Sequence, residues 1–244
     1  MSGPSDSVGG IGPEISPEDD HYIRSHFVTL SEIARLCRLS EAELKARQSS
    51  GSFPRPTYTT ADGSEWYPRG YAVPVRRADR AGISLRELFF NDFYRLSGRS
   101  GQRAPGSEGD RTAAASTLDR QILAEWEGYL TGEYGACLKV PWVPCILQKG
   151  GLMARIDALL LQPKPEDWAW TNELRQAVDA LDHLEQPFAA LDRIRFGGPV
   201  SRDRYILATR GRYPLVFGRE PRASSSQERR PEGLTSDPDK GLVC

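Results

Sequence analysis

The stretch TLSEIARLCRLSEAELKAR, residues 29–47, carries two helix starts in quick succession. Thr29 is followed three residues on by Glu32, and Ser40 by Glu43. In each pair the hydroxyl can accept the first-turn amide while the carboxylate reaches back, the pattern of a capping box. Leu30, Ile33, Ala34 and Cys37 recur at helical spacing between the two starts. The second box opens three residues after Cys37, so the spacing predicts two short helices joined by a tight turn, with Ala42 and Leu44 pointing inward. That is a helix-turn-helix candidate. Phe53, Pro54 and Pro56 then end helical structure. The words PTYTT and SEWYP flank Ala61-Asp62-Gly63, and an Asp-Gly pair favours a hairpin turn, here near 56–68. A stronger helix is predicted over Ser84–Leu96, capped by Ser84 with Glu87, with Leu85, Leu88, Phe89, Phe93 and Leu96 on one side.

Further along, Leu118, Ile122, Trp126, Tyr129 and Leu130 form one amphipathic face before Gly132 and Gly135 interrupt it. A proline-broken VPWVP follows. A second face uses Leu152, Ile156, Leu159 and Leu160, and a third helix from Asp167 buries Leu174, Ala177, Val178, Leu181 and Leu184. Trp168 and Trp170 are expected to pack the base of that helix, a ligand-stacking platform being the alternative. Ser201 opens a last helix through Ile206 and Leu207. The expected fold is therefore mainly α: an N-terminal helix-turn-helix with a small β-hairpin wing, followed by an α-helical bundle. The polar, Gly/Pro-rich stretches divide the chain into a disordered acidic arm (1–20), a winged-helix-like domain (21–96), a linker (97–115), an α-helical domain (116–213) and a disordered tail (214–244).

The whole chain has 244 residues, with 33 acidic against 32 basic, a net charge of −1. That balance excludes a protein that coats nucleic acid through overall charge. No apolar run approaches the ~20 residues needed to span a bilayer. The first residues lack the basic-then-apolar order of a secretory signal. Four scattered cysteines without framework spacing fit a reducing cytoplasm, the expected location.

Two places could carry chemistry. In RFGGPVSRDR (195–204), Gly197 and Gly198 permit close backbone approach, and free amides after Ser201 would suit an anion. Arg195, Arg202 and Arg204 could add forked donors for a carboxylate or phosphate. Arg202 is expected to be exposed, so that its loss would cost function and not stability. The plainer alternative is a helix cap with surface arginines. In EYGAC (133–137), Glu133, Tyr134 and Cys137 lie at a glycine break. Cys137 could act as a nucleophile with His183, and Asp179 one turn earlier, as the base; alternatively it is a buried core thiol. The ligand-binding candidates are thus Arg195, Gly197, Gly198, Ser201, Arg202 and Tyr134. The catalytic candidates are Cys137, Glu133 and His183. With three histidines, none at ligand spacing, no metal is expected. No cofactor is expected either, since dinucleotide, P-loop and GxSxG motifs are absent.

The first block, with GSFPRP and EWYPRGY, resembles the MerR and excisionase type of winged helix, in which the second helix enters the major groove. Ten basic residues against six acidic lie between His21 and Arg80, yet Glu41 and Glu43 stand where phosphates and base edges would approach. Nucleic acid is therefore a disfavoured partner. YIRSHFVTLSEIARLCRLSEAELKARQSSGSFPRPTY, WEGYLTGEYGACL and LEQPFAALDRIRFGGPVSRDRYILATRGRYP together resemble a bacterial domain-of-unknown-function family described as natural product biosynthesis proteins. That resemblance, over roughly 21–213, implies a specialised-metabolite setting and no particular reaction. The expected partner is a small-molecule or carrier-bound pathway intermediate, with no membrane and the oligomeric state open. The alternatives are a MerR-like regulator with a helical effector domain and a drug-sequestering resistance protein.

Overall fold

The computed structural model describes residues 15–97 and 108–218, with backbone alone at 108–116. Helix α1 (Pro17–His26) starts inside the stretch expected to be a disordered arm. Ser16 caps it, and buried Asp19 accepts the amide of distant Leu191 at 3.2 Å, which offsets the cost of burying a carboxylate. The rest of that arm, most of the linker and the tail beyond 218 lie outside the described residues.

Strand β1 (Val28–Thr29) leads into α2 (Leu30–Cys37), capped by Thr29, and α3 (Glu41–Ser49), where Ser40 and Glu43 complete a capping box. Arg38, with φ 60°, closes α2 in the left-handed conformation. Leu44 is fully buried, but Ala42 is exposed, contrary to the expectation that both point inward. Two residues along a helix are about 200° apart, so one stripe cannot hold both. Strands β2 (Tyr58–Thr59) and β3 (Glu65–Tyr67) pair antiparallel. Gly63, at φ 79°, supplies the turn, and Asp62 accepts Thr60 Oγ1–H at 2.6 Å and the Ser64 amide at 3.0 Å. Those bonds pull the Asp62 carboxyl down to about 2. β1 pairs with the far edge of β3, Val28 opposite Tyr67, giving a three-stranded sheet of order β1-β3-β2.

A 3₁₀ turn (Arg69–Tyr71) and α4 (Ala72–Ala81), neither foreseen, precede α5 (Leu85–Ser97), which begins at the expected Ser84. Then come α6 (Glu108–Leu130), α7 (Glu133–Cys137), α8 (Val143–Leu161), α9 (Trp168–Leu184) and α10 (Ala190–Arg195). A π-helical turn (Arg202–Leu207) runs into α11 (Ala208–Arg212) and α12 (Pro214–Phe217). The last of these falls in the expected disordered tail. Buried Val216 and the bond from Arg175 Nε to its carbonyl, 2.7 Å, hold it down. The architecture is mainly helical with one small antiparallel sheet. No helix among the described residues is long and apolar enough to cross a membrane.

One core takes side chains from both sequence blocks. Phe89 of α5, fully buried, meets Trp126 and Tyr129 of α6 and Trp142 before α8, with ring centroids 5.2–5.6 Å apart. Burying a side chain of that size contributes roughly 1.5–3 kcal/mol. Asp92, one turn on, is buried and accepts from Arg77, Arg95 and the Trp142 indole N–H. Burial alone would raise its carboxyl, but the two arginines and the indole hold it below the ordinary range. Its contribution is present above the ordinary carboxylate pKa and is lost as pH falls through the depressed value. Acid unfolding followed by circular dichroism should therefore shift to higher pH in Asp92→Asn; an unmoved acid transition would exclude this role. A second cluster packs Ile156, Trp170, Leu174, Val178, Leu181 and Ile206. Of the tryptophan pair only Trp170 packs, its indole N–H donating to the Leu159 carbonyl, while Trp168 is 77% exposed.

Candidate functional site

Helix α7 is seated by close backbone approach. A Cβ on Gly135 would lie 2.0 Å from Thr57 Oγ1 and 3.0 Å from the Tyr71 hydroxyl, so only glycine fits. The Thr57 hydroxyl also donates to the Gly132 carbonyl, 3.2 Å. After α7 the chain runs antiparallel beside 184–186: Lys139 N bonds Leu184 O at 3.1 Å and Gln186 N bonds Cys137 O at 3.2 Å. This pairing sets Cys137 beside Glu185, and α8 brings Lys149 to both.

A cavity of about 310 Å³ opens here, between α7, α8 and the chain from Phe188 to Arg204. Glu133, Tyr134, Cys137 and Ser201, all expected site residues, line it together with Lys149 and Arg204. Phe188, Phe196, Pro199 and Val200 give it apolar walls. Phe188 has φ 66°, a strained conformation for a side chain of that bulk.

Its polar floor is a linked set. Glu185 is completely buried, and its Oε1 accepts Lys149 Nζ at 2.9 Å and the Ser201 hydroxyl. Its Oε2 has no hydrogen-bond partner among the described residues. The Cys137 thiol donates to the Tyr134 carbonyl at 3.6 Å, with the Lys149 ammonium as a charged neighbour. Burial would lower the Lys149 ammonium, but Cys137 and Glu185 outweigh it and hold the group charged. Burial pushes the Cys137 thiol up, and Lys149 only partly opposes this. Both groups keep their protons at neutral pH. Cys37 is pushed up to about 12 by burial. Iodoacetamide should therefore modify native Cys137 more slowly than a free thiol and leave Cys37 untouched, which peptide mass spectrometry will show; rapid labelling of Cys137 at pH 7 would contradict this.

The structure rearranges the expected anion site. Ser201 does not cap a helix: it is itself helical and gives its hydroxyl to Glu185. Of the amides after Ser201, those of Asp203 and Arg204 are taken by the Val200 carbonyl at 3.1 and 3.2 Å, and the Val200 amide is taken by Asp203 at 3.3 Å. Arg202 is not an exposed arginine but pairs with Asp182 at 2.6 Å, so its loss costs stability too. Arg195 donates to the Thr57 carbonyl at 2.9 Å, and like Gly197 and Gly198 it stands outside the cavity lining. His183 is exposed and does not line the cavity, and Asp179 pairs with Arg210. The base expected there is absent from the thiol's surroundings; its charged neighbours are Lys149 and Glu185.

Those two residues were missed, although the sequence carried a signal for each. Lys149 follows Ile146 by three and precedes Met153 by four, and Glu185 follows Leu181 by four and Val178 by seven. Each is a charge interrupting an apolar stripe at helical spacing. No cluster of three or more His, Cys, Asp or Glu among the described residues could hold a metal ion.

No curated protein and no solved structure matches the chain. Residues 85–214, just over half of it, match DUF6058, a family of unknown function, and include the whole cavity lining with both the EYGACL and RFGGPVSRDR words. The natural-product and MerR-like descriptions are not part of that match. The chain belongs to the DUF6058 family.

Proposed function

We propose that this protein serves natural product biosynthesis in the bacterial cytoplasm by holding an anionic intermediate, free or carrier-bound, in the cavity between α7, α8 and Phe188–Arg204. One observation carries the reading: Lys149, a charged ammonium with a side chain only 15% exposed, lines a cavity whose walls are largely apolar. An ammonium has three donors. Its ion pair is with Glu185, which leaves donors for a ligand oxygen. Exposed Arg204 adds a cation that makes no ion pair among the described residues. The resemblance of roughly residues 21–213 to natural product biosynthesis proteins supplies the setting. Metabolite profiling of a strain lacking the gene tests it: an accumulated carboxylic or phosphorylated intermediate supports the reading, and an unchanged profile under producing conditions rejects it.

The runner-up is a MerR-like regulator, in which α2, α3 and the β2-β3 hairpin would read an operator and the cavity would bind an effector. Its support is mechanical. Thr57 beside β2 donates to the Gly132 carbonyl just before α7, and the Tyr58 hydroxyl donates to buried Asp192 of α10 at 2.8 Å, so the hairpin is tied to the α7 and α10 segments. Charge speaks against it. Lys45 pairs with Glu65, Arg47 with Asp79, Arg69 with Glu32 and Arg24 with Asp62, which offsets four of the ten basic side chains between His21 and Arg80. Binding to promoter fragments from its own gene cluster should be no tighter than the non-specific level, ~10⁻⁴ to 10⁻⁶ M at physiological salt. A nanomolar, sequence-selective gel shift would reverse the order of these two readings. The drug-sequestering alternative uses the same cavity, and survival of a drug-exposed host expressing the protein separates it.

A further inference from the structure

We infer that the cavity takes a flat, aromatic or conjugated monocarboxylate, with the carboxylate on Lys149 and the ring system among Tyr134, Phe188 and Phe196. This rests on the cavity reading above and names the chemical class that fits it.

The donor count decides against phosphate. Tyr134 gives its hydroxyl to Glu125, Ser201 gives its own to Glu185, and the thiol is directed at a backbone carbonyl. Among the side chains of the described lining residues, spare donors remain on Lys149 and Arg204. A phosphate monoester offers three charged oxygens and two charges. The sites that bind such groups supply several backbone amides, as at a glycine-rich turn. Here the nearest candidate turn, Gly197-Gly198, does not line the cavity, and the Val200 amide is already taken by Asp203. A carboxylate needs fewer donors. Charge agrees: Lys149 and Arg204 are matched by Glu185 behind the floor and exposed Glu133 at the lining. One added negative charge is tolerable in such a site, whereas two in a low-dielectric pocket repel Glu185 strongly.

Shape supplies the second half. Three aromatic rings and Pro199 border the space, and rigid flat surfaces bury a conjugated ligand at low cost in ligand entropy. A volume of about 310 Å³ suits a molecule of roughly 10–15 non-hydrogen atoms. The Lys149 ammonium already lies 5.8 Å from the Phe188 ring centroid, so a carboxylate on the lysine brings its attached ring alongside that wall.

Calorimetry on the full chain with four probes tests the inference: cinnamate, cinnamamide, hexanoate and phenyl phosphate. Because Lys149→Met alone strands a buried carboxylate, the comparison variant is Lys149→Met with Glu185→Gln, checked for folding by circular dichroism. Cinnamate should bind with one-to-one stoichiometry, at least tenfold tighter than cinnamamide or hexanoate, and the double variant should lose roughly tenfold to a hundredfold of that affinity. Phenyl phosphate binding more tightly than cinnamate, with the same dependence on Lys149, would overturn the ligand class and leave the anion-holding cavity standing. Hexanoate equal to cinnamate would overturn the requirement for a flat ring. Cinnamate affinity unchanged in the folded double variant would overturn the placement on Lys149. Binding of none of the anionic probes would overturn both this inference and the function proposed above.

Discussion

A Gly135→Ala chain should melt well below the unaltered protein. The added methyl would sit 2.0 Å from Thr57 Oγ1 and 3.0 Å from the Tyr71 hydroxyl, inside any tolerable contact distance. Neither neighbour can step aside cheaply. Thr57 is buried and its hydroxyl is tied to the Gly132 carbonyl, and Tyr71 is fully buried against Phe53 and Tyr129. Overpacking of this kind costs roughly 3 kcal/mol. At this chain length that corresponds to a drop of about 6–12 °C in Tm. Combining the substitution with Thr57→Ala should recover part of the loss, because it removes the atom in the way, and the departure from additivity measures the contact. A single variant that melts within about a degree of the parent would mean that α7 does not lie against Thr57.

The second large effect belongs to the cavity floor. Lys149→Met leaves Glu185, with no exposed surface, deprived of its counter-charge and holding only the Ser201 hydroxyl. Stranding a buried charge typically costs about 3–5 kcal/mol. Restoring neutrality by adding Glu185→Gln should return most of it, since an amide is cheaper to bury than a lone carboxylate. Urea denaturation of the parent and both variants provides the measurement. Equal costs for the single and double variants would show that Lys149 acts by packing alone.

Local signals in the sequence were readable, and partnerships were not. Capping patterns located the starts of α2, α3 and α5 because a cap is a bargain between neighbours three residues apart. Asp62-Gly63 located the hairpin turn for the same reason. β1 escaped because two residues have no periodicity, and its strand identity comes from β3, far along the chain at Trp66 and Tyr67. α7 and α10 escaped because five or six residues cannot show a face. At the cavity, sequence proximity pointed to two segments that line it, while Arg195, Gly197, Gly198, Arg202 and His183 stand outside the lining. Arg202 and Arg195 looked available because nothing in RFGGPVSRDR reveals Asp182 or the Thr57 carbonyl. Lys149 and Glu185 were legible only as blemishes in apolar stripes, and their meaning depends on two helices that meet in space.

The boundary of the family match cuts through a packed interior. It begins at Leu85, yet the ring of Tyr129 is closed on one side by Tyr71, and the seat of α7 is made by Thr57. Both lie upstream of the boundary. A piece trimmed to 85–214 would therefore keep every cavity-lining residue and lose the ground beneath them, leaving aromatic rings bare to water. For anyone exchanging parts between proteins, the segment is not a portable cassette. The transferable unit is the family segment together with whatever chain fills the place of residues 53–71, and a chimera that respects only the match boundary inherits a cavity without its foundation.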